Sequence, residues 1–172
     1  MPQRLRILLI SPEVEPFAKT GGLADVAGAL PKALEGLGHD VRVFMPRYRG
    51  VDRHAGPLRT LLPRLTIPIA DSAVDGALLE GRMGRAIPVY FLQHDRYYDR
   101  EYLYTTPQGD YPDNCERFIF FCRAAVEALR QLDWIPQVIH ANDWQSGLVP
   151  VYLETLYRDD PELSRIATLF TI

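Results

Sequence analysis

The sequence predicts an α/β fold: a Rossmann-like parallel sheet with helices on both faces and a β-hairpin insertion. Short strand-like apolar runs alternate along the chain with longer segments of helical periodicity, which is typical of β-α-β units. The length of 172 residues fits one domain that buries a substantial core. Polar segments directly follow three of the strand-like runs, where open α/β sheets bind their ligands.

The first β-α-β unit begins the chain. Arg4–Ser11 contains an apolar run that predicts a buried strand, and Leu23–Leu37 predicts a helix that stops at its closing glycines. Val41–Met45 predicts the second strand. Pro31 lies inside the predicted helix and removes one backbone hydrogen bond, so we expect a kink or a break there.

The segment Gly50–Pro88 departs from this alternation. Its two apolar runs, Leu58–Ile69 and Ala77–Met83, are interrupted by prolines and glycines, which predicts an antiparallel hairpin insertion. Val89–Leu92 then returns as a core strand. A polar, tyrosine-rich loop follows at Gln93–Pro112.

The carboxyl-terminal part resumes the β-α pattern. Glu116–Leu132 has apolar residues at helical spacing, Val138–Ala141 predicts a strand, and Ser146–Tyr157 predicts another helix. Ala167–Ile172 predicts a final buried strand. Because a strand of this kind needs further structure to cover it, we expect the chain to be an excised or truncated piece of a longer protein.

Composition limits the classes of partner. The net charge of −3 argues against a nucleic-acid partner, which would select a basic, patchy surface. No apolar run approaches the ~20 residues that cross a bilayer, and the amino terminus lacks the layout of a signal peptide. We therefore expect a cytoplasmic protein with no membrane partner. Nothing in the sequence indicates the oligomeric state.

No metal or cofactor site is expected. Cys115 and Cys122 are seven residues apart on a predicted helix, a rise of ~10 Å that no disulfide spans, so we expect both to be small core residues. The chain has no C-x-x-C or H-x-x-x-H pattern. Asp159 and Asp160 are adjacent and lack the D-x-D spacing of a metal-bound nucleotide-sugar site.

The loop after the first strand has the features of a phosphate site. Gly21 and Gly22 allow the backbone to come close to a ligand, and they open a helix whose first N–H groups attract anions. Lys19 adds a full positive charge. The spacing is neither the dinucleotide fingerprint nor the P-loop pattern. An ordinary strand-to-helix turn with an exposed lysine is the alternative interpretation.

Several polar residues near the predicted strand ends allow two interpretations each. Asp25 is either a carboxylate stabilised at the start of a helix or a ligand contact. Asp143 is either a helix cap or a functional carboxylate. Glu13 is either a solvated loop charge or a site residue, and His140 is either a rim histidine or a site residue. Tyrosines such as Tyr98 either pack the loop or form a platform for sugar rings.

Five segments resemble, in order and spacing, the bacterial glycogen synthase and plant starch synthase family. The opening segment Ser11–Val26 contains the Lys-Thr-Gly-Gly-Leu run of its amino-terminal signature. Four more segments match its second strand, its tyrosine-rich loop, its central helix and its His-Ala-x-Asp-Trp motif: Val41–Tyr48, Phe91–Arg100, Asp113–Phe121 and Ile139–Pro150. The resemblance covers essentially the whole chain.

The resemblance implies one half of a twin-Rossmann, retaining glycosyltransferase. Such an enzyme transfers glucose from ADP-glucose to the 4-hydroxyl at the non-reducing end of an α-1,4-glucan. Residues 1–172 would be the acceptor-side amino-terminal domain, with the nucleotide-binding carboxyl-terminal domain absent. Because one half cannot close the cleft between donor and acceptor, we expect the piece alone to be nearly inert.

The resemblance also implies roles for individual residues. The expected catalytic residues are Lys19, Asp25 and Asp143, and the expected diphosphate contacts are Lys19, Gly21 and Gly22. The expected contacts to the sugar and the acceptor are Glu13, Asp25, His140, Asn142, Asp143, Trp144, Gln145 and Tyr98. Asn142 stands where many relatives have histidine, which removes a proton-carrying role from this position. The family's His-Asn pair would follow Ile172.

Other functions stay open at this point. A non-catalytic glucan-binding module would use the tyrosine-rich loop and could dispense with the glycine loop. A related glycosyltransferase with a different nucleotide-sugar donor is also compatible, since the choice between ADP and UDP depends mainly on the absent half. A dehydrogenase-like or flavodoxin-like domain is disfavoured by the glycine spacing.

Overall fold

The chain folds around a seven-stranded sheet in the computed structural model, which describes residues 4–84 and 86–172. The seven strands of this sheet are β1 (Arg6–Ile10), β2 (Asp40–Pro46), β3 (Arg59–Ile69), β4 (Ser72–Met83), β5 (Ile87–Gln93), β8 (Val138–Asn142) and β9 (Ala167–Thr171). A small hairpin consists of β6 (Thr105–Thr106) and β7 (Gly109–Asp110). The helices are α1 (Gly22–Gly36), α2 (Asp52–Ala55), α3 (Asp95–Tyr98), α4 (Asn114–Leu129) and α5 (Leu148–Thr155).

The strand order is β3-β4-β5-β2-β1-β8-β9. The five strands from β5 to β9 are parallel to one another, whereas β3 and β4 are antiparallel and extend the sheet beyond β5. The predicted parallel sheet and the predicted hairpin insertion are both confirmed. The crossover from β1 to β2 runs in the opposite direction to the crossover from β5 to β8. Since such crossovers are right-handed, α1 and α4 lie on opposite faces of the sheet.

Helix α1 continues through Pro31, so the predicted break does not occur, and a kink at this position stays a prediction. Pro31 is buried together with the small residues Ala24, Ala27 and Gly28, which form the face of α1 that packs on the sheet. This burial offsets the hydrogen bond that the proline removes.

Strand β9 is exposed along its length, and the prediction of a buried final strand is wrong. It pairs with β8 on one side and is an edge strand of the described sheet. Cys122 is buried as predicted, but Cys115 is exposed because it lies in the first turn of α4, outside the core. None of the helices in the described ranges has the length and apolar character that a bilayer crossing requires.

Candidate functional site

The three predicted polar segments lie along one edge of the sheet. Register places Ile10, the last residue of β1, beside Phe44 of β2 and Ala141 of β8. The segments that leave β1 and β8 are thus direct neighbours, and the segment that leaves β5 lies two strands away from β1. The carboxyl edge of a parallel sheet is the usual ligand site of open α/β folds.

Glu13 is an internal anion of the glycine loop. Its side chain is buried, with 4% of the residue exposed. The carboxylate accepts hydrogen bonds from the Thr20 N–H at 2.6 Å, the Thr20 hydroxyl at 2.5 Å and the Gly21 N–H at 3.3 Å. The alternative of a solvated loop charge is therefore wrong. A carboxylate in this position is favoured by the positive end of the α1 dipole.

The paired glycines face open space. A Cβ atom built on Gly21 or Gly22 would meet no atom within 4 Å, and Gly21 has extended backbone, which any residue adopts. Gly28 is different, because its Cβ would lie 2.7 Å from the Glu15 carbonyl oxygen. Packing within this chain thus requires glycine at position 28 but not at positions 21 and 22. The Gly21 N–H is nevertheless not a free donor, because it binds Glu13.

Lys19 and Asp25 form an ion pair at the mouth of the loop. The Lys19 ammonium donates to the Asp25 carboxylate at 2.5 Å, and the two side chains are 44% and 58% exposed. The hydrogen bond to Asp25 raises the pKa of Lys19, so the ammonium stays charged at neutral pH. Asp25 lies in the first turn of α1, where the helix dipole stabilises a carboxylate, whereas Gly21 holds the cap position and no side chain caps the helix. The pair presents both charges to solvent.

Asp143 has a strained backbone. Its φ of 63° and ψ of 168° lie in a region that is essentially restricted to glycine and costs about 1–3 kcal/mol for other residues. The Asp143 N–H donates to the Thr171 carbonyl at 2.7 Å, and its carboxylate caps the Trp144 N–H at 2.7 Å. The predicted capping role is therefore confirmed. Strain at a non-glycine residue is also a mark of functional sites.

Trp144 is the largest exposed aromatic side chain beside this edge, with 55% of the residue exposed. Its ring centroid lies 5.2 Å from that of Phe118 and 6.3 Å from that of Tyr104, and both contacts are edge-to-face. These contacts fix the orientation of the indole while leaving much of its surface open to solvent. An exposed, fixed aromatic ring suits the apolar C–H face of a sugar.

Two residues of the motif around Trp144 lie deeper than the sequence suggests. Asn142 is 2% exposed, and its amide donates to the carbonyls of Ile10 at 3.2 Å and His140 at 3.0 Å. The prediction of a sugar contact at Asn142 is wrong, because this amide ties β8 to β1. Gln145 is also buried, and its Oε1 has no hydrogen-bond partner within the described residues.

His140 lies at the rim of this edge, half-buried on β8. Its Nε2 is 2.9 Å from the hydroxyl of Thr171 on the neighbouring strand β9. Burial lowers the pKa of the imidazole. The rim position leaves the predicted sugar contact of His140 open.

Tyr98 does not reach the surface. The residue is fully buried, and its hydroxyl donates to the Arg117 carbonyl at 2.9 Å. Burial raises the pKa of this hydroxyl well above its ordinary value. The prediction of a sugar contact at Tyr98 is wrong, because the short helix α3 turns this side chain into the core.

Arg117 and Thr20 are structural determinants of the site that sequence reasoning missed. The Arg117 guanidinium is fully buried and donates to the Tyr97 carbonyl at 2.8 Å and the Leu103 carbonyl at 2.9 Å, which fastens the tyrosine-rich loop to α4. Thr20 provides two of the three donors to Glu13. No local pattern marks either residue, because the partners named here, Glu13, Tyr97 and Leu103, are 7 to 20 positions away in the sequence.

The arrangement has the chemistry of a site for a charged and hydroxyl-rich ligand. Lys19 supplies an exposed cation, Asp25 and Asp143 supply carboxylates that accept hydrogen bonds, and Trp144 supplies an apolar ring. In the ranges that the structure describes, no three His, Cys, Asp or Glu side chains are grouped as a metal site. The fold and the site together define an α/β domain with a polar ligand edge.

The chain belongs to the starch synthase catalytic domain family, whose model matches residues 6–172. It is 50% identical over 168 residues to a glycogen synthase of Syntrophotalea carbinolica, and 48% identical over 172 residues to glycogen synthase 1 of Geobacter sulfurreducens. Each match covers 98% of this chain and 34% of the relative. The chain therefore spans about a third of the length of these relatives, and the predicted family is confirmed.

A solved structure gives the same result. The catalytic domain of starch synthase IV from Arabidopsis thaliana, bound to ADP and acarbose, superposes with a TM-score of 0.82 at 30% sequence identity. The match covers 98% of this chain and 34% of that one. The predicted starch synthase-type fold thus agrees with both the sequence relatives and the structural relative.

Proposed function

We propose that the chain forms the acceptor-side domain of a retaining glucosyltransferase of the glycogen and starch synthase type. The proposed reaction transfers glucose from ADP-glucose to the non-reducing end of an α-1,4-glucan. The observation that carries the proposal is the exposed Lys19 ammonium beside Gly21 and Gly22. Packing within the chain leaves room for a side chain at both of these glycines. In a chain of this family, a ligand that approaches the backbone closely is the physical reason for those glycines.

Lys19 is proposed to act on the departing diphosphate. Negative charge builds up on the phosphate oxygens as the bond to glucose breaks, and a fixed cation in a water-poor cleft stabilises that charge. Asp25 holds the ammonium in place and keeps it protonated. Gly22 leaves room for the phosphate or the transferred sugar to approach the start of α1.

Trp144 and Asp143 are proposed to bind the sugar chain. The indole would pack against a pyranose ring, and the Asp143 carboxylate would accept hydrogen bonds from hydroxyl groups. Holding donor and acceptor together can lower a barrier by about 7–11 kcal/mol. Because one domain provides only one wall of such a cleft, we expect the isolated chain to bind ligands but to transfer glucose very slowly.

The solved relative supports this choice of substrates. The solved catalytic domain of starch synthase IV is bound to ADP and acarbose, and its match extends over nearly all of this chain. A glucan-binding module without catalysis would leave the Lys19 loop without a purpose, which favours the transferase. No metal, organic cofactor or nucleic acid takes part in the proposed reaction, and the cytoplasmic location stays a prediction.

A chimera tests the proposal. Residues 1–172 would replace the matching third of the Syntrophotalea carbinolica glycogen synthase, and incorporation of labelled glucose from ADP-glucose into glycogen would be measured. We expect transfer by the chimera, and a strong loss of turnover with Lys19→Ala at unchanged melting temperature. A chimera that melts cooperatively but transfers no glucose would contradict the proposed function. Unchanged turnover with Lys19→Ala would remove Lys19 from the site.

A further inference from the structure

Glu13 is a buried carboxylate that accepts hydrogen bonds from three donors of the glycine loop. Two are backbone N–H groups, of Thr20 and Gly21, and the third is the Thr20 hydroxyl. No Lys, Arg or His side chain in the described ranges forms an ion pair with this carboxylate. The negative charge is therefore stabilised by the loop itself and by the start of α1.

This contact orients the loop. Because the N–H groups of Thr20 and Gly21 point inward to Glu13, the preceding side chain of Lys19 lies on the outer side, where 44% of it is exposed. The same contact removes two amide donors from the reach of an external anion. Of the loop's predicted phosphate contacts, the Lys19 ammonium and the Gly22 amide are the groups that Glu13 does not engage.

The surroundings of Glu13 exclude a direct role with sugar. Only 4% of the residue is exposed. The hydroxyls of Tyr48 and Tyr104 are buried without a hydrogen-bond partner among the described residues. Burial raises the pKa of the Tyr104 hydroxyl, and the nearby Tyr48 and Glu13 groups raise it further. With so little of the residue exposed, the Glu13 carboxylate is not available to a ligand in the crevice.

We propose that Glu13 is a positioning residue that acts through Thr20: it fixes the glycine loop so that Lys19 and the Gly22 amide face the diphosphate. This inference rests on the proposed function, since it assigns the loop to the nucleotide. It replaces the sugar contact that the sequence predicts for Glu13. The carboxylate is an internal counterpart of the substrate phosphate, placed on the other side of the same loop.

Variants of Thr20 test the proposal without uncovering the buried charge. Thr20→Val removes the hydroxyl, whereas Thr20→Ser keeps it. We expect the affinity of the 172-residue chain for ADP, followed by NMR titration, to fall about tenfold with Thr20→Val, as for one hydrogen bond to a charged group. With Thr20→Ser, it should stay within about twofold. Glu13→Gln should weaken ADP binding further, because its amide NH₂ group opposes the loop donors.

Two controls separate positioning from general stability. Thr66 donates to Asp75 at 2.5 Å on the β3–β4 hairpin, so Thr66→Val removes a similar hydroxyl–carboxylate bond away from the glycine loop. It should leave ADP binding unchanged. Maltoheptaose affinity should be unchanged in all four variants. Amide hydrogen exchange of Gly21 should speed up with Thr20→Val and Glu13→Gln but not with Thr20→Ser or Thr66→Val.

The outcomes distinguish this inference from the proposed function. ADP affinity that is unchanged by Thr20→Val, or lost equally with Thr20→Ser, would overturn the positioning role. A loss of maltoheptaose binding in Glu13→Gln alone would make Glu13 a sugar ligand instead. If the unmutated chain binds neither ADP nor maltoheptaose, the proposed function fails, while unaltered Gly21 exchange in the variants would separately refute the fixing of the loop.

Discussion

Replacing Asp143 by glycine should stabilise the fold relative to replacing it by alanine. The backbone at φ 63° and ψ 168° costs an aspartate or an alanine about 1–3 kcal/mol, and a glycine adopts it freely. Both replacements remove the cap on the Trp144 N–H. Loss of a cap lowers the free energy of unfolding by about 0.5–2 kcal/mol when alanine replaces the capping residue, but by only a few tenths when glycine does. Glycine also lowers the free energy of unfolding by about 0.4–1 kcal/mol relative to alanine, because it gives the unfolded chain more conformational entropy.

These contributions sum to a clear order of stability. The free energy of unfolding of Asp143→Gly should be about 2 kcal/mol higher than that of Asp143→Ala, and its melting temperature several degrees higher. Asp143→Asn keeps a capping oxygen and should lie near the unmutated chain. Urea unfolding at neutral pH measures all three differences, provided that the slope with denaturant stays constant. Equal stability of the glycine and alanine variants would show that Asp143 carries no backbone strain.

Two further predictions concern single side chains at the same edge of the sheet. Trp144→Ala should weaken maltoheptaose binding by up to about tenfold, as expected for the loss of one aromatic packing contact. Tyr98→Phe should leave maltoheptaose binding unchanged, because Tyr98 is buried. Calorimetric titration of the isolated chain measures both affinities. Burial lowers the pKa of His140 below its ordinary 6.5, so the unfolded chain binds this proton more readily and stability should fall as pH drops from about 7 to 5. His140→Gln should make that decline less steep in urea unfolding, and an unaltered slope would contradict the assignment; His94, whose pKa burial also lowers, accounts for part of the remainder.

The sequence predicts the sheet well, because each element is specified locally. The apolar run of β1, the helical spacing of α4 and the proline- and glycine-rich hairpin all encode their structure over a few neighbouring residues. The burial of Cys122 follows from this spacing as well. The exposure of Cys115 does not, because periodicity fixes the face of a helix but not the point along its axis where the core ends.

The site is predicted less completely, because its details depend on contacts between distant segments. The exposed Lys19 and the cap at Asp143 follow from residue type and position. The burial of Glu13 depends on a loop that folds back seven residues later, and the burial of Tyr98 depends on Arg117 of α4. The Asp143 N–H binds the carbonyl of Thr171 on β9, and neighbouring residues do not predict this contact between distant segments.

The charge of the glycine loop explains why a lysine is needed there. A helix start alone attracts an anion, but here the loop already holds the Glu13 carboxylate, and Asp25 adds a second negative charge. With the Lys19 ammonium against the carboxylates of Glu13, Glu15 and Asp25, residues 11–26 carry a formal net charge of −2. A diphosphate bound at this loop would therefore gain a local ion pair with Lys19 but no net positive charge. The cations that neutralise the diphosphate would have to come from outside the loop. This balance of charge predicts weak nucleotide binding by this chain alone.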